Sequence, residues 1–378
     1  MQIIVGADVV STDSNNALFE AGDVRTLVGE TIYEIIQSSD ASIFNIEGPL
    51  FEGENPITKC GPCLKMSSKS IIGLKQLRPG VVTLANNHIM DHGIDGLKNT
   101  IKCLDEAEIP FVGAGMNLAD ASKCHIIEKA GIKIGVYSVA EHEFAIADQT
   151  RPGANPFDPL ESFDHISDLK DKTDFVVVLY HGGKEYYRYP SPYIQRVFKK
   201  MADKGANLVV AQHTHCIGAF EEYNGSLLVY GQGNFIFDGG DNEFWNSGIL
   251  VKLDIDKSGY SYSFIPYIKE GGTICAVEEK DADSFLHDFY ERSYNIKSSE
   301  FVNKTYDDYC RKSIDSYFSI IHGSTETLLF RVINKLSRNH LLSNMYSLKQ
   351  KNSLLNVIEC EAHRELIING LKNRILGK

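Results

Sequence analysis

Short runs of aliphatic and β-branched residues recur along the first two-thirds of the chain, at residues 3–5, 43–46, 81–84, 133–139, 175–179, 208–210 and 227–230. The runs are short and rich in Val, Ile and Leu instead of alternating, as expected of strands covered on both faces. Between them the period becomes helical. Leu97, Ile101 and Leu104 fall on one helical face, and Tyr193, Val197, Phe198 and Met201 form another stripe that opens near Pro192 and stops at Gly205. Strand–helix alternation of this kind predicts an α/β domain. Over residues 250–268 the pattern turns to alternation, with Val251, Leu253 and Ile255 answered by Tyr260, Tyr262 and Phe264, which predicts an antiparallel hairpin finishing a sheet. From about residue 280 helical spacing takes over, through Phe285, Phe289, Tyr317, Ile320, Leu328, Leu329, Val332, Ile333 and Leu336, and again from Leu354 to Leu371. We therefore expect an α/β domain over residues 1–279 and a helical extension over residues 280–378.

Composition adds limits. Hydrophobic residues make up 43% of the 378 and charged residues 23%, ordinary for a folded chain. A formal net charge of −12 argues against a general nucleic-acid binder, which needs a basic face. The charge is uneven. Residues 331–378 carry nine Lys/Arg against three Asp/Glu, a surplus of six positive charges, so the remainder carries a surplus of eighteen negative ones. A basic end on an acidic body suits docking on an acidic partner or a membrane surface, and equally a solvated helical face. No basic leader precedes a long apolar stretch, and no apolar run approaches the roughly 18–20 residues a bilayer span needs. We expect a cytoplasmic chain with no integral membrane segment. The eight cysteines are scattered, as free thiols of a cytoplasmic protein would be. Cys60-Gly61-Pro62-Cys63 spells a thioredoxin sequence but falls in a polar loop, not at a strand-to-helix junction.

The candidate chemistry sits at strand ends. Asp8 follows the first run, Asn45 and Glu47 end the second, Asn86, Asn87 and His88 follow the third, His181 follows residues 175–179, and His213 and His215 follow residues 208–210. Ligands of open α/β sheets bind outside the carboxyl ends of the strands. Any one of these residues alone would read as a cap or a loop residue. Five strands bringing carboxylate, amide and imidazole groups to one edge point to a site for one or two divalent metal ions, with Mn, Fe or Zn suited to the donors and Mg also within their range. Two cations about 3.5–4 Å apart acidify a shared water and clamp a developing oxyanion.

At this point the sequence resembles a family. His213-Thr214-His215 after an apolar strand and Asn87-His88 after another are similar to the calcineurin-like metallophosphoesterases. The closer likeness is to their capsule-synthesis branch, the CapA or poly-γ-glutamate (PGA_cap) type. It is carried by Asn45-Ile46-Glu47-Gly48-Pro49-Leu50, by Leu84-Ala85-Asn86-Asn87-His88 with Asp91 and Gly93, and by Gly113-Ala114-Gly115-Met116-Asn117. Further on, His181-Gly182-Gly183-Lys184-Glu185-Tyr186, Gln212-His213-Thr214-His215 and Gly231-Gln232-Gly233-Asn234-Phe235 with Asp238 continue it in order. The likeness runs from about residue 1 to 240 and leaves out the helical end.

The resemblance implies a metallophosphoesterase-like αββα sandwich, two mixed β-sheets flanked by helices, with the C-terminal helices appended. It implies Asp8 and His215 on the first metal, Glu47 as a bridge, and Asn87, His181 and His213 on the second. His88 would contact substrate or protonate the leaving group, oriented by Asp91. Two departures stand out. Val10 occupies the place of a first-metal His, and Ile89 that of an acidic residue after Asn-His. Glu185 is a candidate substrate contact or base. One of Glu141, His142 and Glu143 could join the site, while Arg151 reads as a surface residue, and Tyr186, Tyr187 and Tyr189 either line a pocket or pack a loop. The expected function is a metal-dependent hydrolase-like enzyme of capsule or cell-envelope polymer synthesis, acting at a phosphoryl or acyl (γ-glutamyl amide) centre. Its substrate would be an anionic polymer, a small molecule or a peptide, with capsule-synthesis proteins as partners of the basic helices. A metal-dependent epimerase and a non-catalytic assembly factor are the rival readings.

Overall fold

The computed structural model describes residues 1–239, 242–321, 332, 336 and 345–375. The periodicity expected at Leu328, Leu329 and Ile333 lies outside the described residues. The chain forms two compact units, Met1–Asn303 and Lys304–Lys378. In the second, helices Leu348–Glu359 and Glu361–Ile375 are described, the first opened by a capping box of Ser347 and Gln350.

Among the described residues, the first unit contains sixteen strands. In chain order they are β1 (Gln2–Val9), β2 (Ala41–Ile46), β3 (Pro79–Thr83), β4 (Phe111–Val112), β5 (Ala114–Gly115), β6 (His125–Lys129), β7 (Ile132–Ala140) and β8 (Gly153–Ala154). There follow β9 (Phe175–His181), β10 (Leu208–Gln212), β11 (Phe220–Tyr223), β12 (Ser226–Val229), β13 (Asn234–Ile236), β14 (Ser247–Asp256), β15 (Gly259–Glu270) and β16 (Thr273–Ala276). One large sheet runs β16-β15-β14-β1-β2-β3-β4, with β13 also paired to β1; a second runs β11-β12-β10-β9-β7-β6; and β5 and β8 form a small two-stranded sheet. β1, β2, β3 and β4 are parallel, as are β7, β9, β10 and β12, while β14, β15 and β16 form the antiparallel edge.

Period-2 geometry explains the layers. Ile3 and Val5 of β1 face the second sheet, where they meet Val177 and Leu179 of β9 and Leu208 and Val210 of β10. Ile4 points the other way, into a layer with Phe19, Leu27, Ile32, Ile36, Leu97 and Leu104 from the helices over the first sheet. Val176, Val178 and Tyr180 of β9 likewise face outward, onto Ile166, Leu169, Val197, Phe198 and Met201 of helices Ser162–Lys170 and Pro192–Asp203. Both faces of each central strand are therefore buried, which is why the strands read as continuous apolar runs. The expected αββα arrangement is present. Helix Pro192–Asp203 begins as its sequence predicts, with Ser191 Oγ accepting from the Ile194 amide at 3.1 Å and Pro192 in the first turn.

Helices continue after β16, and the first two, Glu279–Phe285 and His287–Asn295, belong to the first unit. Leu286 and Phe289 are buried with Ile217 and Ile249, and Ser293 Oγ accepts from the Phe220 amide at 2.9 Å. Arg292 donates to the carbonyls of Gly218 and Ile217 at 2.7 and 3.1 Å. This helix thus braces the segment that follows the His213-Thr214-His215 motif.

Candidate metal centre

A row of buried polar side chains crosses the first sheet near the carboxyl ends of its strands. Asp8 of β1 is in register with Asn234 of β13 on one side and Asn45 of β2 on the other, and Asn45 with Thr83 of β3. The register shifts beside Asp8 on both sides, and such irregularities commonly re-aim a side chain. Asn45 Nδ2 donates to Asp8 Oδ1 at 2.7 Å, and Asn45 Oδ1 accepts from Thr83 and Asn86 at 3.2 and 3.1 Å. Asp8 Oδ2 accepts from the His213 amide at 3.2 Å, which joins the two sheets.

The second sheet supplies the imidazoles. His181 is the last residue of β9, in register with Gln212 of β10, directly before His213. His213 and His215 both hold left-handed backbone, with φ of 82° and 53°. A non-glycine residue in that region costs about 1–3 kcal/mol and persists only where the surroundings enforce it. Here the enforcement comes from hydrogen bonds of the Gly233 amide to the Cys216 carbonyl and of the Gly218 amide to the Gly231 carbonyl, each 3.1 Å.

These elements converge. His181 Nε2 lies 3.3 Å from Glu47 Oε1 and 3.0 Å from Asn87 Oδ1. Glu47, His181 and His213 offer ligand atoms within 4.8 Å of one another, and so do Asp8, Glu47 and His215. Glu47 belongs to both triads, the position of a bridge. Both its oxygens are buried and make no hydrogen bond, and His213 Nδ1 is buried without one as well. A buried carboxylate without hydrogen bonds is costly, and these atoms fit a cation. The sequence-predicted donors Asp8, Glu47, Asn87, His181, His213 and His215 are all brought together.

Electrostatics agree. Burial, reinforced by Glu47, pushes the Asp8 carboxyl up to about 7, and burial pushes Glu47 up to about 8. Burial holds His181 and His213 below the usual imidazole range and brings His215 down to about 4. Neutral imidazole is the ligand form. Asn234 Oδ1 lies 2.7 Å from His215 Nδ1; a hydrogen bond there puts the proton on Nδ1 and leaves Nε2 as the donor atom.

His88 is arranged differently. Its Nδ1 lies 2.6 Å from Asp91 Oδ2, so it is tethered as a proton carrier is, beside the cluster. Asp91 is wholly buried; Lys59 pairs with its other oxygen and stands 3.1 Å from His88 Nδ1. The Leu64 amide donates to Asp91 Oδ2 at 2.7 Å. The segment 59–64, with its two free cysteines, is thus tied to Asp91 at both ends, on irregular chain instead of a strand-to-helix junction. Glu185 Oε1 lies 3.8 Å from His213 Nε2 at the exposed side of the centre. Of the three residues after β7, Glu143 enters, accepting from Asn87 Nδ2 at 3.0 Å, whereas Glu141 accepts from the Tyr180 hydroxyl. Arg151 pairs with Asp148 at the surface. The Tyr186 ring lies 5.9 Å from that of His215, and Tyr187 packs on Tyr189.

Two features escaped the sequence reading. Lys59 sits in a loop with no motif to mark it. The orienting role of Asn234 was hidden inside a glycine-rich motif, although the motif itself was visible.

The fold and the cluster define a class: an αββα sandwich with a Glu-centred set of carboxylate, amide and imidazole groups at its strand ends, a candidate metal site. Within that class, the family model of the bacterial capsule synthesis protein PGA_cap matches residues 2–239, and the chain belongs to this family. The PGA biosynthesis protein CapA of Bacillus subtilis is 32% identical over 66% of this chain and 71% of its own length. The capsule biosynthesis protein CapA of Bacillus anthracis is 34% identical over 54% of this chain and 52% of its own length. Among solved structures, a novel phosphatase from Mycoplasma pneumoniae is similar with a TM-score of 0.46 and 13% identity, over 76% of this chain and 98% of that one. No helix among the described residues is long and apolar enough to cross a membrane.

Proposed function

We propose that this chain is a divalent-metal-dependent hydrolase or transferase of capsule and cell-envelope polymer synthesis, acting at a phosphoryl or γ-glutamyl acyl centre of an anionic polymer or its precursor. The observation that carries the enzymatic part is Glu47, whose two buried oxygens lack hydrogen bonds and serve two donor triads at once. The polymer part follows from relatives whose names refer to PGA and capsule biosynthesis. When bound, one or two cations would supply Lewis acidity and charge for a developing oxyanion; Mn, Fe or Zn suits the mixed imidazole and carboxylate donors. Asp8, Glu47 and His215 would hold one, and Glu47, Asn87, His181 and His213 the other. The remaining chemistry belongs to the chain's own groups. His88, tethered to Asp91 through Nδ1, keeps Nε2 for the proton that a leaving oxygen or nitrogen takes up. Glu185, 3.8 Å from His213 at the exposed side, would meet substrate. The basic C-terminal helices would dock other capsule-synthesis proteins.

The test is metal content per chain by elemental mass spectrometry, on protein purified without chelator or added metal. The wild type should carry one to two equivalents and the His213→Ala, His215→Ala double variant close to none. A wild type that stays empty after reloading with Mn or Zn sinks the metal reading. Phosphodiester, phosphomonoester and γ-glutamyl anilide substrates then separate the phosphoryl from the acyl reaction, and solvent deuterium entering a Cα position would replace both with epimerisation.

A further inference from the structure

Next to the Asp8–His215 half lies a cavity of about 550 Å³ to which the reading above gives no role; its wall includes Phe237, Asp238, Trp245, Lys269 and Gly271-Gly272. Its place beside the centre is fixed by the rings. Trp245 stacks on His215 at 4.7 Å with 22° between planes, and Phe237 meets both edge-on, at 6.0 Å from His215 and 4.9 Å from Trp245. Lys269 comes from β15, beyond the residues that match the family. Its Nζ donates to the Phe237 carbonyl at 2.8 Å and stands 5.9 Å from the centroid of Trp245.

An ammonium has three donors, and that hydrogen bond uses one. Among the described residues no carboxylate lies within ion-pair distance of Lys269; Asp238 and Asp8 act on it only through their fields, and its own field reaches His215. Burial pushes this ammonium down to about 7, against the weaker pull of those two carboxylates. A half-buried ammonium with unused donors, on the wall of an open cavity beside the candidate centre, suits an oxyanion, because a charge-assisted hydrogen bond there satisfies both partners.

We propose that Lys269, with Trp245 as the flanking wall, binds an oxyanionic group of the substrate, a carboxylate or a phosphate, next to the reacting bond. The assignment to substrate rests on the metal-enzyme reading; the anion site itself stands on Lys269 and the cavity. It makes Lys269 a specificity-determining residue that favours substrates carrying a second negative group over neutral analogues.

The chain provides its own probe, because Trp245 is its single tryptophan. Sulfate, a stand-in for the phosphate group, and glutarate, for the carboxylate, are titrated separately into the full-length protein while Trp245 fluorescence is followed. Metal content is read on the same samples. The wild type should give a saturable change with at least one probe, and the responding probe identifies the group. Lys269→Gln should weaken that response tenfold or more at unchanged metal content, and Lys269→Arg should retain most of it. The change should survive removal of the metal by chelation. No saturable response from the wild type with either probe overturns the proposal, even if Lys269→Gln proves too unstable to study. An unchanged midpoint in Lys269→Gln, or a response that vanishes with the metal, overturns it as well. A wild type that takes up no Mn or Zn on reloading, yet still answers the probe through Lys269, would end the metal reading and leave the anion site in place.

Discussion

The half of the centre around His181, His213 and Asn87 and the half around Asp8 and His215 share Glu47 but are furnished differently. The first draws donors from the last residue of β9, from the turn after β10 and from the loop after β3, so it has four with Glu47. The second has three, because Val10, where a histidine could have stood, is buried in the apolar layer and its amide bonds the Ile236 carbonyl at 2.6 Å. The halves differ in orientation too: Asn45 holds Asp8 and Asn234 holds His215, whereas in the first half Glu143 holds Asn87 and Asn45 reaches His181 but His213 Nδ1 makes no hydrogen bond. The difference teaches that donor number and donor fixation are separate properties of a candidate metal site, and that this chain distributes them unequally.

The most damaging way to test that contrast is to remove what the halves share. Glu47→Gln should leave elemental mass spectrometry with well under one equivalent of metal, and a variant that keeps two would end the bridging assignment. The same variant carries a pH signature. In chelated wild type, Glu47 has a folded-state value raised to about 8 and Asp8 one raised to about 7. The folded state therefore holds protons that the unfolded state has already released, and stability is lost as pH rises towards those values. The melting temperature of the chelated wild type should fall from about pH 4.5 to about pH 8 and level off above it; Glu47→Gln should flatten the fall, and added Mn should abolish it. Next in size is the proton carrier, which touches neither half. His88→Gln should lower kcat by about 10²–10⁴-fold with the metal complement intact, and loss of metal in this variant would make His88 a ligand instead. The smallest effect sharpens the comparison itself. Asn234→Ala should loosen one ion by about 10-fold, seen as easier release of a single equivalent to a competing chelator. Equal loosening of both ions would mean that the halves are not independent.

The layers and the donor set were legible in the sequence for the same reason: both follow from strands. Ile3, Ile4 and Val5 had to be covered on two sides, and residues just past such strands had to share an edge. What was not legible came from chain that crosses between elements. Lys59 reaches Asp91 from an irregular loop, and nothing local to Lys59 marks that meeting. Glu143 was one of three consecutive candidates, and only the path of the chain after β7 selects it over Glu141. Trp245 and Lys269 approach His215 from beyond residue 239, where the family likeness no longer guides the eye.

Residue 239, where the family match ends, is a poor place to cut this chain. β1, which carries Asp8, is paired with β14 from Gln2↔Asp254 to Val5↔Val251, and helix His287–Asn295 packs over Ile217 and Ile249. A recombinant fragment ending at the family boundary would bare a hydrophobic strand edge in the middle of its principal sheet, and such edges recruit other chains. Aggregation of that fragment would say nothing about the centre. The fragment that respects the fold runs to Asn303, where the first compact unit closes.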